Sequence, residues 1–319
     1  MGRKTVRQVI FPLTAAMIWG SAFVGQSVVA EALPPITFNA IRAVIGFFFL
    51  LGLCRVLEGI EKRRTGTLAP KGSRRDLIRG GLACGLFLTA ATNFQQAGLS
   101  DTPAGKAGFI TALYMVLVPI FGIFLKRPAT RRVWVSALIA LVGLYFLCIT
   151  GDFSLQRSDL LVLVCAFLFA GQIMAIDHFV TKVDGVRLSC AQFLVVAVTS
   201  GVLALLFETP LFGLADAERC FRFAALYTKE GGVAWGVVLP ILYVGTFSSG
   251  IAYTLQILAQ KDSDPTVVSL LLSTESVFSV IFGALLLHDR LSGREYLGCL
   301  LMLGAVVLSQ LPEKRKQNG

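Results

Sequence analysis

The chain has 319 residues, 55% of them hydrophobic and 15% charged, with a mean hydropathy of +0.74 and a formal charge of +10. A soluble domain of this size carries roughly 25% charged residues, so the composition excludes an ordinary soluble globular protein. The positive charge does not point to nucleic acid, because the basic residues lie between apolar runs and form no aromatic-interleaved patch.

Apolar runs of about twenty residues match the length that crosses ~30 Å of hydrocarbon at 1.5 Å per residue. In chain order they predict spans at 9–30, 34–56, 77–99, 103–125, 132–151, 159–178, 187–207, 233–259, 265–287 and 295–311. The first run follows Arg3, Lys4 and Arg7, and Val28-Val29-Ala30 loosely resembles a cleavage site. A secretory signal has an apolar core of about 7–15 residues, so the longer run is expected to remain as the first span. Strands are not expected, because an open sheet edge facing lipid leaves its backbone unsatisfied. Two connections are long, 57–76 and 208–232, and the second contains a stretch at 216–227 with the pattern of an interfacial amphipathic helix. Cys54, Cys84, Cys148, Cys165, Cys190 and Cys299 fall within or at the edge of apolar runs without metal or redox spacing, and read as small packing residues. Cys220 lies in a loop.

Lys and Arg placement sets orientation. With the N-terminus inside, 21 basic residues fall on the cytoplasmic side and 6 on the other, with Arg42 and Lys106 inside spans or at their edges. Both termini are therefore expected in the cytoplasm of a cell whose inner membrane holds the protein, which requires an even number of spans. An internal repeat has the same parity. At an offset of 161, Pro119-Ile-Phe-Gly122 aligns with Val280-Ile-Phe-Gly283, Gly143 with Gly304 and Gln95 with Gln256. Earlier, Ala16-Met-Ile-Trp19 aligns with Ala166-Phe-Leu-Phe169 at an offset of 150. Five spans per half make the halves, 1–151 and 152–319, opposite in polarity, which is a transporter architecture with its site expected near the bilayer midplane.

Several motifs together resemble the EamA type of the drug/metabolite transporter superfamily. They are Ile18-Trp-Gly-Ser-Ala-Phe23, Phe38-Asn-Ala-Ile-Arg42, Ala104-Gly-Lys-Ala-Gly-Phe-Ile-Thr-Ala-Leu-Tyr114 with Pro119, Tyr253-Thr-Leu-Gln256, Glu275, and His288-Asp-Arg-Leu-Ser292 running to Gly298 and Gly304. The resemblance implies an all-α membrane fold of ten helices in two inverted five-helix repeats, a central cavity lined by spans 1–4 and 6–9, and transport or export of amino acids, metabolites or drugs. Two positions depart from the family pattern. Ser276 follows Glu275 where proline is common, and Lys126 replaces an acidic residue before span five.

Ionisable groups inside spans must face protein or water. Glu275 lies about ten residues into its span, ~15 Å from the inner edge. It could titrate and couple proton movement to substrate, or serve as a structural carboxylate paired to a neighbouring helix, Arg42 being one partner. Arg42 could clamp a carboxylate or phosphate in bidentate fashion, or satisfy helix-end carbonyls. Lys106 could attract an anion or snorkel to the interface. Trp19, Gln26, Asn93, Gln95, Gln96, Tyr114, Tyr253 and Gln256 are candidates to line a cavity and hydrogen-bond a zwitterion, with interhelical hydrogen bonding as the alternative for each. Gly80, Gly81, Gly85 and Gly283 suit close helix approach, Pro103 and Pro265 suit first helical positions, and Pro119 is expected to kink span four.

No Walker-type glycine loop is present, and His178 and His288 are expected on opposite membrane faces, which removes Ser/His/Asp and HExxH arrangements. The expected protein is a non-enzymatic secondary carrier without cofactor or metal, a monomer or homodimer in the lipid bilayer. It takes a small-molecule substrate, with the proton as candidate coupling ion and no nucleic acid partner. A channel or an intramembrane enzyme is the alternative.

Overall fold

The computed structural model describes residues 6–30, 32–65, 72–99, 102, 104–126, 128–149, 156–209, 226, 232–286 and 292–311. The described residues form helices and no strand, with an isolated antiparallel bridge between Gly72 and Val183. A π-helical turn, Val6–Ile10, leads into α1 (Phe11–Ala30), followed by α2 (Pro35–Thr65), α3 (Arg74–Gly98), α4 (Ala104–Ala112), α5 (Tyr114–Phe124), α6 (Arg131–Cys148) and α7 (Arg157–Phe179). Next come α8 (Gly185–Phe207), α9 (Trp235–Tyr243), a π-helical segment at Val244–Ala252, α10 (Tyr253–Gln260), α11 (Pro265–Leu272), α12 (Glu275–Leu286) and α13 (Gly293–Gln310).

Among the described residues, eight segments can cross a membrane by length and composition: Pro35–Thr65, Arg74–Gly98, Ala107–Phe124, Arg131–Cys148, Arg157–Phe179, Gly185–Phe207, Trp235–Gln260 and Pro265–Leu285. The protein is thus an all-α membrane protein of multiple spans. α1 and α13 occupy the first and last expected positions, and Arg294 and Glu295 make the start of α13 polar. Forty large apolar side chains that face outward, such as Phe48, Leu138 and Leu300, are what a lipid solvent requires, since the same surface in water would be unstable.

One connection differs from expectation. α2 does not stop near residue 56 but runs 31 residues to Thr65, because Leu57, Glu58, Ile60, Glu61 and Lys62 are not helix breakers and Lys62, Arg63 and Arg64 complement the C-terminal dipole. At 1.5 Å per residue the helix is ~46 Å long, so it overshoots ~30 Å of hydrocarbon. The stretch at 216–227, apart from Leu226, and His288 lie outside the described residues.

Two spans are broken. α4 and α5 are interrupted at Leu113, six residues before Pro119, which sits inside α5. α11 and α12 are interrupted at Ser273–Thr274, with no proline in α12. There the Ser273 and Thr274 hydroxyls donate to the carbonyls of Leu270 (2.8 Å) and Leu271 (2.6 Å), offering the backbone a competing partner. α11 starts as expected: Pro265 occupies the first turn, and the Asp264 carboxylate accepts from the Thr266 N–H at 2.8 Å. In the span formed by α9 and α10, Pro240 precedes the π-helical segment, consistent with lost hydrogen bonds relaxing into wider turns.

Small residues bring backbones together. A Cβ on Gly20 of α1 would stand 2.5 Å from the Phe278 Cβ and 2.7 Å from the Glu275 carbonyl, so α1 and α12 touch at backbone level. Gly143 of α6 and Gly298 of α13 face each other in the same way, and Gly81 and Gly85 admit α8 onto α3 as expected. The largest core cluster joins α1, α5, α6, α7 and α11 through Ile18, Met115, Val118, Leu144, Ile173, Val268 and Leu272.

Candidate functional site

Inside this packing lies a cavity lined by Trp19, Phe23 and Gln26 of α1, Arg42 of α2, Gln95 of α3, Thr111 of α4 and Tyr114 of α5. Phe169 and Ile173 of α7, Ser248, Tyr253 and Gln256 of the π segment and α10, Leu272 of α11 and Glu275 of α12 complete it. Of the eleven residues named from sequence as candidates, eight share this wall: Trp19, Gln26, Arg42, Gln95, Tyr114, Tyr253, Gln256 and Glu275.

The two helix breaks meet here. Glu275 is the first residue of α12 and Tyr114 the first of α5, and the Tyr114 hydroxyl donates to Glu275 Oε1 at 3.5 Å, the outer limit of a hydrogen bond. Both are buried, at 8% and 5% exposure. Arg42, also buried, donates from Nη1 to Gln26 Oε1 at 3.1 Å, and its guanidinium lies 5.5 Å from the centre of the Phe38 ring. Arg42 and Glu275 form no ion pair with each other, so the pairing considered from sequence is absent among the described contacts.

Aromatic rings shape the walls. Trp19 meets Tyr253 edge-on at 4.8 Å between centroids, Phe193 packs on Tyr253 at 5.4 Å, and Tyr114 faces Phe169 at 6.4 Å. Behind the wall runs a chain of amides. Gln256 Nε2 donates to Gln172 Oε1 at 3.2 Å, and Gln172 Nε2 donates to Gln192 Oε1 at 3.1 Å. This network assigns the Gln256 amide orientation and leaves its carbonyl oxygen, Oε1, buried at the cavity without a partner. The Trp19 indole N–H is also buried and unpartnered. Buried polar atoms ordinarily find partners, so one donor and one acceptor left over on two residues of the same wall are suited to a ligand that brings the complementary groups to it.

Two candidates lie elsewhere. Asn93 accepts from Asn39 Nδ2 at 2.9 Å and donates to Ser200 Oγ at 3.2 Å, tying α2, α3 and α8 together, and does not line the cavity. Gln96 is buried outside it. The Lys106 side chain lies outside the described residues. Phe23, Thr111, Phe169, Ile173, Ser248 and Leu272 reach the cavity without having been singled out. Phe169 carried one usable signal, its alignment with Trp19 at an offset of 150, whereas Ile173 and Leu272 are indistinguishable from core residues.

Known proteins resemble this chain in sequence and in fold. The family profile described as EamA-like transporter family matches residues 7–149 and again 156–311. An "Uncharacterized transporter" of Archaeoglobus fulgidus is 27% identical over 297 residues, covering 93% of this chain and 83% of that protein. The "Uncharacterized transporter YoaV" of Bacillus subtilis is 20% identical over 314 residues, covering 96% and 97%. A solved crystal structure, 20% identical, superposes with a TM-score of 0.72 over 95% of this chain and 96% of the other, a likeness of fold.

Proposed function

The chain belongs to the EamA-like transporter family, and we propose that it is a secondary carrier that exports a small organic metabolite, an amino acid or related solute or drug, by alternating access through the central cavity. The observation that carries this reading is the cavity itself, lined from both halves of the chain, two of whose wall residues, Trp19 and Gln256, keep a buried N–H and a buried carbonyl oxygen without partners. A zwitterion or amine-bearing solute would use both, and the Tyr114–Glu275 pair gives it an acid to approach.

The reading includes ten spans in two inverted repeats, 1–151 and 152–319. Several features support it. The family profile matches the chain twice. α4 and α11 begin 161 residues apart, at Ala104 and Pro265, and so do Tyr114 and Glu275, which follow the two breaks. Packing exchanges in the same sense: α12 lies on α1 as α4 and α5 lie on α7, and α3 lies on α7 as α9 and α10 lie on α1. Broken helices that meet near mid-membrane are the usual frame of a transporter site.

Glu275 is the proposed coupling group, exchanging a proton as substrate arrives or leaves. The bias of 21 basic residues to 6 supports cytoplasmic termini and an inner-membrane setting. The carrier functions as a monomer or homodimer and takes no nucleic acid partner. Purified protein screened for thermal stabilisation against amino acids, amines and small drugs tests the reading, since a ligand bound only to the folded state raises the melting temperature. A stabilising solute that loses its effect in Trp19→Phe and Gln256→Leu is expected. Stabilisation that persists unchanged in both variants would remove the cavity as the site.

A further inference from the structure

Resting on the carrier reading, we infer that α2 and α8 form the fixed axis of the molecule, locked at opposite membrane faces by two carboxylates in equivalent positions, while the broken helices move around them.

The two helices pack on each other and run antiparallel, the start of α2 meeting the end of α8 and the start of α8 meeting α2 at Glu58. At one end Glu208, which caps the C-terminus of α8 and is 5% exposed, accepts from the backbone N–H groups of Ile36 (2.9 Å) and Thr37 (2.6 Å). Those are first-turn donors of α2 that its own backbone cannot satisfy, and the helix dipole favours a negative group there. At the other end Glu58, late in α2, pairs with Arg187 in the first turn of α8. Glu58 and Glu208 are 150 residues apart, the offset that relates Trp19 to Phe169. A carboxylate at an equivalent position therefore ties the pair at each face, to backbone N–H groups at one and to an arginine side chain at the other.

Between the locks the pair is continuous. Asn93 of α3 bridges Asn39 of α2 to Ser200 of α8, and Leu50 packs with Phe193 and Val196. α2 is unbroken over 31 residues and α8 over 23. α8 lends no residue to the cavity wall and α2 only Arg42. The discontinuities, at Leu113, at Ser273–Thr274 and over Val244–Ala252, all lie in spans that do line it. Hinges belong where backbone hydrogen bonds are already interrupted, whereas rocking α2 against α8 would break a lock at one face for every opening.

Spin-label distances in lipid nanodiscs test this. One pair joins Val56 of α2 to Val202 of α8, both exposed, and reports slippage within the axis. The other joins Val202 to Phe124, exposed at the end of α5, and reports movement relative to it. Each is measured in acidic and in alkaline buffer, with and without an equimolar mixture of the common amino acids. The expected result is one unchanged distance for 56–202 and a shift or second population for 124–202. Movement of both pairs overturns the axis and leaves the carrier reading standing. Stillness of both removes the carrier reading, and the axis with it. Hydrogen exchange on the otherwise native chain gives a second readout: Glu208→Gln should speed exchange at Ile36 and Thr37 roughly tenfold, as weakening of charge-assisted bonds requires. Unchanged exchange there would show that Glu208 is no lock.

Discussion

Glu275 and Arg42 both sit at the cavity, yet each has a neutral partner, Tyr114 and Gln26 respectively. That geometry separates the two roles open to Glu275. Removing one member of a buried ion pair leaves the other charge uncompensated and costs about 3–5 kcal/mol. Replacing a carboxylate held only by a long hydroxyl contact with the isosteric amide should cost about 1 kcal/mol or less. Glu275→Gln is accordingly expected to keep a near-native melting temperature while losing proton-driven transport. A fall of many degrees with proton coupling intact in the surviving protein would make Glu275 structural. The side chains at the cavity were partly legible in the sequence, because a Trp, Arg, Gln or Glu inside an apolar run stands out by its cost there. What the sequence hides is direction: Gln95 and Gln96 are neighbours of one type, and only the register of α3 against α4 turns Gln95 inward. Asn93 was equally visible but belongs to the helix contacts, a distinction that depends on its neighbours Asn39 and Ser200.

At the level of the helices, lipid cannot drive association as water does, so close backbone packing carries more of the stability. Gly20 is the sharpest instance. A valine there must displace Phe278 or the α12 backbone, and overpacking of this kind costs about 3 kcal/mol. Gly20→Val should therefore lower the melting temperature markedly, whereas Gly52→Ala, with nothing within 4 Å of the new methyl, should be neutral or mildly stabilising. Equal effects of the two in a thermal unfolding assay would deny the α1–α12 contact. Gly298→Leu should act like Gly20→Val, through the α6–α13 seam. Helix existence was readable from run length alone. The breaks were not, because Leu113 is a good helix former and the interruption comes from the tertiary setting at the cavity, while Pro119, the visible signal, sits inside a continuous helix. The extension of α2 to Thr65 was missed for the opposite reason, since a charged stretch reads as a loop once the apolar run ends.

On the scale of the whole molecule, topology and function are joined. An outward-facing 208–232 loop means that native Cys220 should react in intact cells with a thiol reagent that cannot cross membranes. Labelling that needs the cell interior opened would invert the arrangement and the proposed direction of export. Carrier action itself is tested most directly by counterflow. Proteoliposomes preloaded with an unlabelled mixture of amino acids and amines would be offered a labelled trace of the same mixture outside. A carrier that must turn over with its site filled should show transient, saturable accumulation of label that Trp19→Phe and Gln256→Leu diminish. Uptake that never saturates and is indifferent to the internal load, or no uptake above empty vesicles across the mixture, would contradict it.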